Sequence, residues 1–335
     1  MLISEKTMKE FNDYDIKFPE LVYDILDYFR LSNTSKKVAK KSVGDYCAIS
    51  RFSNTKKTNG ELIQPYVVNL ICENLVRKRM ITRIKNGEMV DGWDANYIYS
   101  PQNDEFFLSK PDALVFSLNC MAYGFPYIYA SYRNDVLPLI VKDQKGDVTM
   151  GTCFRFNTGI LTAKHCLEAA EVSIEGYTAE QLQKYATFIS KDPNIDLAYI
   201  ELQEHSRFVP GDANVLDEVL VMGYPKIPMF NAFCAAERAA ISSIPTRGAV
   251  ASLADQYLSP NVGPLMLVTA RIRGGNSGGP IINSNGQVVG VAFSEPMSEG
   301  NYDEMGYGVA YPISVFGQLL DDCEVMHVNY VDNVQ

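Results

Sequence analysis

The sequence has no apolar run near the ~20 residues that a membrane-crossing helix needs. It has only three histidines and one tryptophan in 335 residues. It also has no C-x-x-C pair: its seven cysteines (Cys47, Cys72, Cys120, Cys153, Cys166, Cys234 and Cys323) are odd in number and widely scattered. Reduced thiols in a cytosolic protein explain this pattern better than a disulfide framework or a zinc site. The first residues, MLISEKTMKEFNDYD, are polar and of mixed charge, unlike a secretory leader. Together these absences predict a soluble chain of cytoplasmic location, with no membrane partner, no metal and no cofactor. Internal repeats and low-complexity tracts are missing too. The length leaves room for about two domains.

The net charge of −10 hides an asymmetry. Residues 1–29 carry three Lys against seven acidic groups, a balance of −4. Residues 30–86 carry thirteen Lys and Arg against Asp45, Glu61 and Glu73, a balance of +10, and residues 87–335 carry fourteen against thirty, a balance of −16. A split of this kind points to modules with different partners.

Pro19–Leu31 places Leu21, Val22, Ile25, Leu26 and Phe29 on one face, as an amphipathic helix does. Residues 36–52 are basic and weakly helical, with Gly44 as a candidate break. A third helix is expected from Pro65 to about Arg79, because proline suits the first helical turn and Val67, Leu70, Ile71 and Leu75 keep the period. Met80–Ile84 then reads as a strand, Asn86-Gly87 as a turn and Tyr97–Tyr99 as the returning strand. Helices followed by a two-stranded ribbon resemble a winged-helix domain, a likeness of pattern without a specific motif. Residues 1–100 are therefore assigned to a small, basic α+β domain. Residues 101–132 form a connector with a helix over Asp112–Tyr123 and an aromatic run, Phe125–Tyr132, expected to pack between domains. From residue 133 to 335 the pattern is short strands punctuated by Gly and Pro, which indicates barrels or a sandwich.

Within that part lies RIRGGNSGGPIINSNGQVVGVAF (Arg271–Phe293). Ser277 sits among Gly274, Gly275, Gly278 and Gly279, residues that allow tight turns and open backbone N–H groups to a ligand. Acyl transfer needs a nucleophilic hydroxyl beside such donors, together with a base and a carboxylate that orients it. His165 follows the strand Ile160–Thr162 in TAKHC, and Asp196 opens the strand in DLAYIEL. Asp192, four residues earlier in a turn-forming Asp-Pro, is the competing acid. His205 and His327 lie in no recognisable block.

TAKHC, DLAYIEL and GNSGGP, in this order, resemble the signature blocks of trypsin-like serine peptidases, nearest to the Deg/HtrA-like branch. Gly151-Thr152, LDEVLVMGYP (Leu216–Pro225), RGAVAS (Arg247–Ser252) and YGVAYPIS (Tyr307–Ser314) match as well. The likeness implies a mainly β double barrel preceded by the small domain. It implies a catalytic triad of His165, Asp196 and Ser277, with the backbone N–H groups of Gly275 and Ser277 as oxyanion hole. It further implies a substrate pocket walled by Ala292, Phe293, Ser294 and Gly308, with Arg271 at its base. Arg271 would either accept an acidic side chain or point away and leave an apolar slot. Asn276 stands where digestive relatives carry an aspartate that pairs with a freshly cut N-terminus, so loop reordering around Gly274–Ser277 is expected instead of proteolytic maturation. Cys166 follows the histidine as in secreted relatives, but Met150 falls at its partner's position. A pairing with Cys153 is left open, with free thiols favoured. Only about twenty residues follow the helix expected at Ile313–Leu320, too few for a PDZ domain.

The expected function is thus a serine endopeptidase with a protein or peptide substrate, gated or targeted by the N-terminal module in a regulatory, stress or defence role. The alternative is a nucleic-acid-binding regulator whose protease-like part only senses or docks. Contacts to nucleic acid or a protein partner would come from Lys36, Lys37, Lys40, Lys41, Arg77, Lys78, Arg79, Arg83 and Lys85. The oligomeric state is not legible.

Overall fold

The computed structural model describes residues 18–31, 41–53, 63–89, 92–225, 242–254, 264–293 and 306–334. The chain divides into two compact units, 1–128 and 129–335.

The first unit is helical with one ribbon. Helix α1 (Leu21–Phe29) buries Leu21, Val22, Ile25, Leu26 and Phe29 completely, the face its periodicity marks. Helix α2 (Val43–Ile49) starts at a capping box in which Ser42 and Asp45 satisfy each other's backbone amides. Gly44 is the second residue of this helix, which begins here instead of extending over 36–52. The indole of Trp93 occupies the place of a side chain there, so glycine serves close approach and not chain reversal. Helix α3 (Pro65–Arg77) has its proline in the first turn. Strands β1 (Ile81–Lys85) and β2 (Asn96–Tyr99) pair antiparallel, Ile81 opposite Tyr99. Helices α4 (Asp104–Ser109) and α5 (Asp112–Tyr123) complete the unit, and Phe107, Leu118, Ala122 and Tyr123 join the core built on α1 and α3. Helix α6 (Phe125–Tyr132) spans the division between the units.

The second unit holds two sheets. The first contains β3 (Val136–Lys142), β4 (Val148–Phe156), β5 (Gly159–Thr162), β6 (Glu171–Ile174), β7 (Thr187–Ser190) and β8 (Ala198–Glu201), with a short helix α7 (Ala179–Gln183) before β7. The second contains β9 (Val209–Pro210), β10 (Glu218–Gly223), β11 (Ile244–Ala254), β12 (Leu265–Val268), β13 (Pro280–Asn283), β14 (Gln287–Phe293) and β15 (Gly308–Pro312). Six strands close the second sheet into a barrel in the order β13-β10-β11-β12-β15-β14, with β14 pairing back to β13. Val219, Val221, Val250, Met266, Val268 and Ile281 fill it. Closure removes the exposed edges that an open sheet would carry. A closed barrel together with a half-barrel sheet is consistent with the mainly β double barrel expected from the sequence.

The first sheet is half a barrel, ordered β7-β8-β5-β4-β3-β6, with no β6–β7 pairing among the described residues. After helix α8 (Val315–Asp321) the chain returns as β16 (Cys323–Met326) and pairs along β7. It then bridges to β6: Val172 N–H donates to Asn329 O at 3.0 Å, and Val331 N–H donates to Val172 O at 2.9 Å. Tyr330 buries its ring under this strap, its hydroxyl 2.8 Å from Thr187 Oγ1. The last residues thus span the gap between β6 and β7. Nothing in the periodicity of these residues marks them as a strand, because the burial pattern of β16 lacks alternation.

Candidate active site

Strand register brings the histidine and the carboxylate together. β5 pairs with β8 so that Thr162 faces Ala198. His165, in a 3-10 turn just past the end of β5, therefore meets Asp196, just before the start of β8. Asp196 grips this turn at three points. Its carbonyl accepts from Lys164 N at 3.2 Å, Oδ1 accepts from His165 N at 2.8 Å, and Oδ2 lies 2.5 Å from His165 Nδ1. Such a grip fixes the ring's orientation and places the Nδ1 proton toward the carboxylate, leaving Nε2 as the basic nitrogen. Burial works against an imidazolium here, but the Asp196 hydrogen bond, with Cys166 alongside, outweighs it and raises the histidine's pKa above its ordinary range. Asp192 does not compete: its Oδ1 caps its own turn, accepting from Asn194 N at 2.9 Å.

Tyr311, from β15, supports the acid from the other barrel. Its hydroxyl donates to Asn194 O at 2.9 Å and accepts from Asp196 N at 3.3 Å. Phe293 lies edge-on to the His165 ring, centroids 6.4 Å apart, and 5.0 Å from the Tyr311 ring.

The serine loop is bound to the same place by backbone. Thr152 N–H donates to Ser277 O at 3.0 Å, Asn276 N–H to Arg273 O at 2.9 Å, and Gly278 N–H to Ala292 O at 2.8 Å. Gly278 has φ +83, and the space beside it is occupied by Thr152 O, Thr162 Oγ1 and, at 2.7 Å from a would-be Cβ, Ala163 N. Only glycine fits that conformation and contact. Because Ala163 opens the turn that carries His165, Gly278 joins the serine loop to the histidine turn. Gly275 has φ +98, and its carbonyl accepts from Thr152 Oγ1 at 2.6 Å. Ser277 and Asn276 are buried, and Asn276 Oδ1 has no hydrogen-bond partner among the described residues.

Of the pocket residues expected from the sequence, Ala292 is buried and donates to Gly279 O, Phe293 faces His165, and Ser294 lies outside the described residues. At Gly308 a side chain would fall 2.7 Å from Ile272 Cγ1, so Ile272 lies directly against this glycine. Arg271 is exposed, and its carbonyl accepts from Thr246 Oγ1 at 3.0 Å. Cys153 and Cys166 are both buried and free, and Cys166 Sγ is 3.9 Å from Ser277 O.

Among the described residues, several basic side chains of the first unit are already paired. Arg83 pairs with Glu73, Lys85 with Asp94 at 2.8 Å, and Arg77 donates to Asn74 Oδ1 at 3.1 Å. Lys41 donates to Tyr28 O at 2.9 Å, with its ammonium over the Tyr28 ring. Arg79 follows the end of α3 with φ +58, next to Lys78. Lys36, Lys37 and Lys40 lie outside the described residues.

Sequence reasoning missed three contributors: Thr152, Tyr311 and Ile272. Gly151-Thr152 and Tyr311 stand inside matching blocks, but which atoms their side chains touch depends on contacts with loops distant in sequence that spacing does not reveal.

Residues 150–291 match the trypsin-like peptidase domain family. A probable periplasmic serine endoprotease, DegP-like, of Chlamydia trachomatis is 28% identical over 235 residues, covering 68% of this chain and 44% of that protein. Its counterpart in Chlamydia pneumoniae is 29% identical over 184 residues, covering 54% and 35%. The chain thus spans less than half the length of these relatives. Among solved structures, the active form of the Rv3671c protease from M. tuberculosis aligns at TM-score 0.44 and 21% identity, covering 60% of this chain and 86% of that one.

The cytoplasmic location expected from the cysteines and the N-terminus is corrected by these relatives, which are named periplasmic. The cysteine argument fails for a physical reason. Cys47, Cys72, Cys120, Cys153 and Cys166 are buried, and desolvation raises the Cys47 thiol to about 12, so most of these thiols are shielded by packing whatever the compartment.

Proposed function

We propose that the chain is a serine endopeptidase of the HtrA/Deg type, with Ser277 as nucleophile, His165 as general base and acid, and Asp196 as orienting carboxylate. Ser277 Oγ attacks the scissile carbonyl carbon while His165 Nε2 takes the hydroxyl proton. The oxyanion that forms is met by the N–H groups of Gly275 and Ser277. The C–N bond breaks as His165 returns the proton to the leaving amine, and water repeats the sequence on the acyl-enzyme. The observation that carries this reading is the hold of Asp196 on both the backbone and Nδ1 of His165. It is tested by hydrolysis of an unfolded protein such as casein. Ser277→Ala and His165→Ala should each lower turnover by roughly 10⁴-fold or more, without additivity. Variants as active as wild type would place the chemistry elsewhere.

For specificity, Ile272 against Gly308 and the exposed Arg271 favour an apolar slot over an acid-binding base. The helix–helix–helix–ribbon order of the first unit supports a winged-helix-like module that targets or gates the peptidase. The pairing of Arg83 and Lys85 with acidic neighbours favours protein over nucleic acid as its partner. Titration with duplex DNA and RNA at two salt concentrations tests this choice. Steep salt dependence of binding would overturn it.

A further inference from the structure

The side chain of Thr152 touches the serine loop at a point that backbone pairing alone leaves free. Thr152 is completely buried at the midpoint of β4. Its amide donates to Ser277 O at 3.0 Å, and its carbonyl accepts from Thr162 Oγ1 at 2.8 Å, on the strand that leads to His165. These backbone contacts need no particular side chain. The hydroxyl does something separate: it donates to Gly275 O at 2.6 Å and accepts from Tyr224 N at 2.9 Å. A hydroxyl has one proton to give, and Tyr224 N–H fills an acceptor site and cannot take that proton, so it must go to Gly275. Gly275, at φ +98, has no side chain to restrict either of its soft torsions. The neighbouring amide of Asn276 is spent on Arg273 O. Within the described hydrogen bonds, Thr152 Oγ1 is what holds the Gly275 carbonyl.

We propose that Thr152 is a positioning residue for the oxyanion hole: its hydroxyl clamps Gly275 so that the N–H of this glycine stays aimed at the developing oxyanion. The inference rests on the peptidase reading above. Charge on the substrate oxygen grows only toward the tetrahedral state, so a slack donor weakens transition-state binding more than substrate binding. Loss of the clamp therefore lowers kcat and spares KM, and serine, which keeps the hydroxyl, keeps the clamp.

The test compares wild type, Thr152→Val, Thr152→Ser and Ser277→Ala on a peptide substrate. Turnover is counted per fluorophosphonate-reactive site, at a temperature well below each variant's unfolding midpoint. Removing an oxyanion donor outright costs about 10²–10³ in kcat. Loosening one is expected to cost on the order of 10–100-fold in Thr152→Val, with KM within about threefold, and Thr152→Ser should stay within about threefold of wild type in both. Inhibition by a peptide boronate, which presents a tetrahedral oxyanion mimic, should weaken by the same factor as kcat/KM. Thr152→Val with wild-type kcat per site, even if less stable, would overturn the clamp and leave the peptidase reading intact. Equal loss in Thr152→Ser and Thr152→Val would also overturn it, since packing and not the hydroxyl would then be at work. Wild type no more active than Ser277→Ala would overturn the peptidase reading, and the clamp with it.

Discussion

Replacing Tyr330 tests whether the C-terminal strap is part of the barrel that carries His165 and Asp196. The ring is buried to 4% exposure and the hydroxyl is 2.8 Å from Thr187 Oγ1 on β7. The backbone on either side bridges to β6 through Val172. β7 in turn pairs with β8, the strand that follows Asp196, Phe188 facing Tyr199. Tyr330→Phe removes only the hydroxyl and leaves Thr187 Oγ1 without its partner, at a cost of about 1–3 kcal/mol. Tyr330→Ala removes the ring and leaves a cavity where β6, β7 and the strap meet, at a cost of about 3–5 kcal/mol. Against a total of about 5–15 kcal/mol for a domain, the second loss is large. Urea unfolding of the full chain, followed by near-ultraviolet circular dichroism, gives both values by linear extrapolation. A Tyr330→Ala protein within about 0.5 kcal/mol of wild type would refute the reasoning, because a change that small belongs to an exposed site and not to a barrel strand.

Other outcomes follow from the site. Asp196→Asn should lower kcat on the order of 10⁴-fold by presenting the wrong histidine tautomer, with the fold retained; steady-state turnover and circular dichroism check this. Activity needs neutral His165, and its pKa is raised, so kcat/KM should fall on acidification with a midpoint above ~6.5, the value of an unperturbed histidine. For stability the sign is the reverse: the raised pKa favours the folded state fully below ~6.5, and that contribution is lost as pH rises through the folded-state value. NMR titration of the His165 ring and denaturation across pH 5–11 measure the two, since the histidine is raised to about 10. Gly278→Ala places a side chain at φ +83 against Thr152 O and Thr162 Oγ1. The backbone alone costs about 1–2 kcal/mol. Labelling of Ser277 should be lost before the barrel unfolds in a thermal series.

The proposed triad is legible in the sequence because acyl transfer demands particular side chains in particular local settings. His165 had to end a strand, Asp196 had to open one, and Ser277 had to sit among glycines; all three settings are readable over a few residues. The barrels were legible as short strands, since Val219–Met222 and Val288–Phe293 are apolar runs of strand length bounded by turn residues. What stayed hidden depends on contacts between distant segments. The close approach that Gly44 permits shows only when Trp93, some fifty residues later, is seen to cover it. The strap at residues 323–331 carries no alternation, so only its pairing with β7 and β6 reveals it. Thr152 is an ordinary strand residue in sequence, and its hydroxyl acquires meaning only against Gly275, across the interface of the two sheets. Cysteine number is a poor guide to compartment here, because burial shields most of these thiols.

The central claim is that Ser277 is a nucleophile activated by His165. Treating the intact folded chain with a fluorophosphonate probe and locating the adduct by peptide mass spectrometry tests it most directly. The expected result is a single phosphonylated serine at Ser277, absent from Ser277→Ala and slowed by orders of magnitude in His165→Ala. Folded wild-type protein that takes no label, or takes it at another serine, would contradict the account.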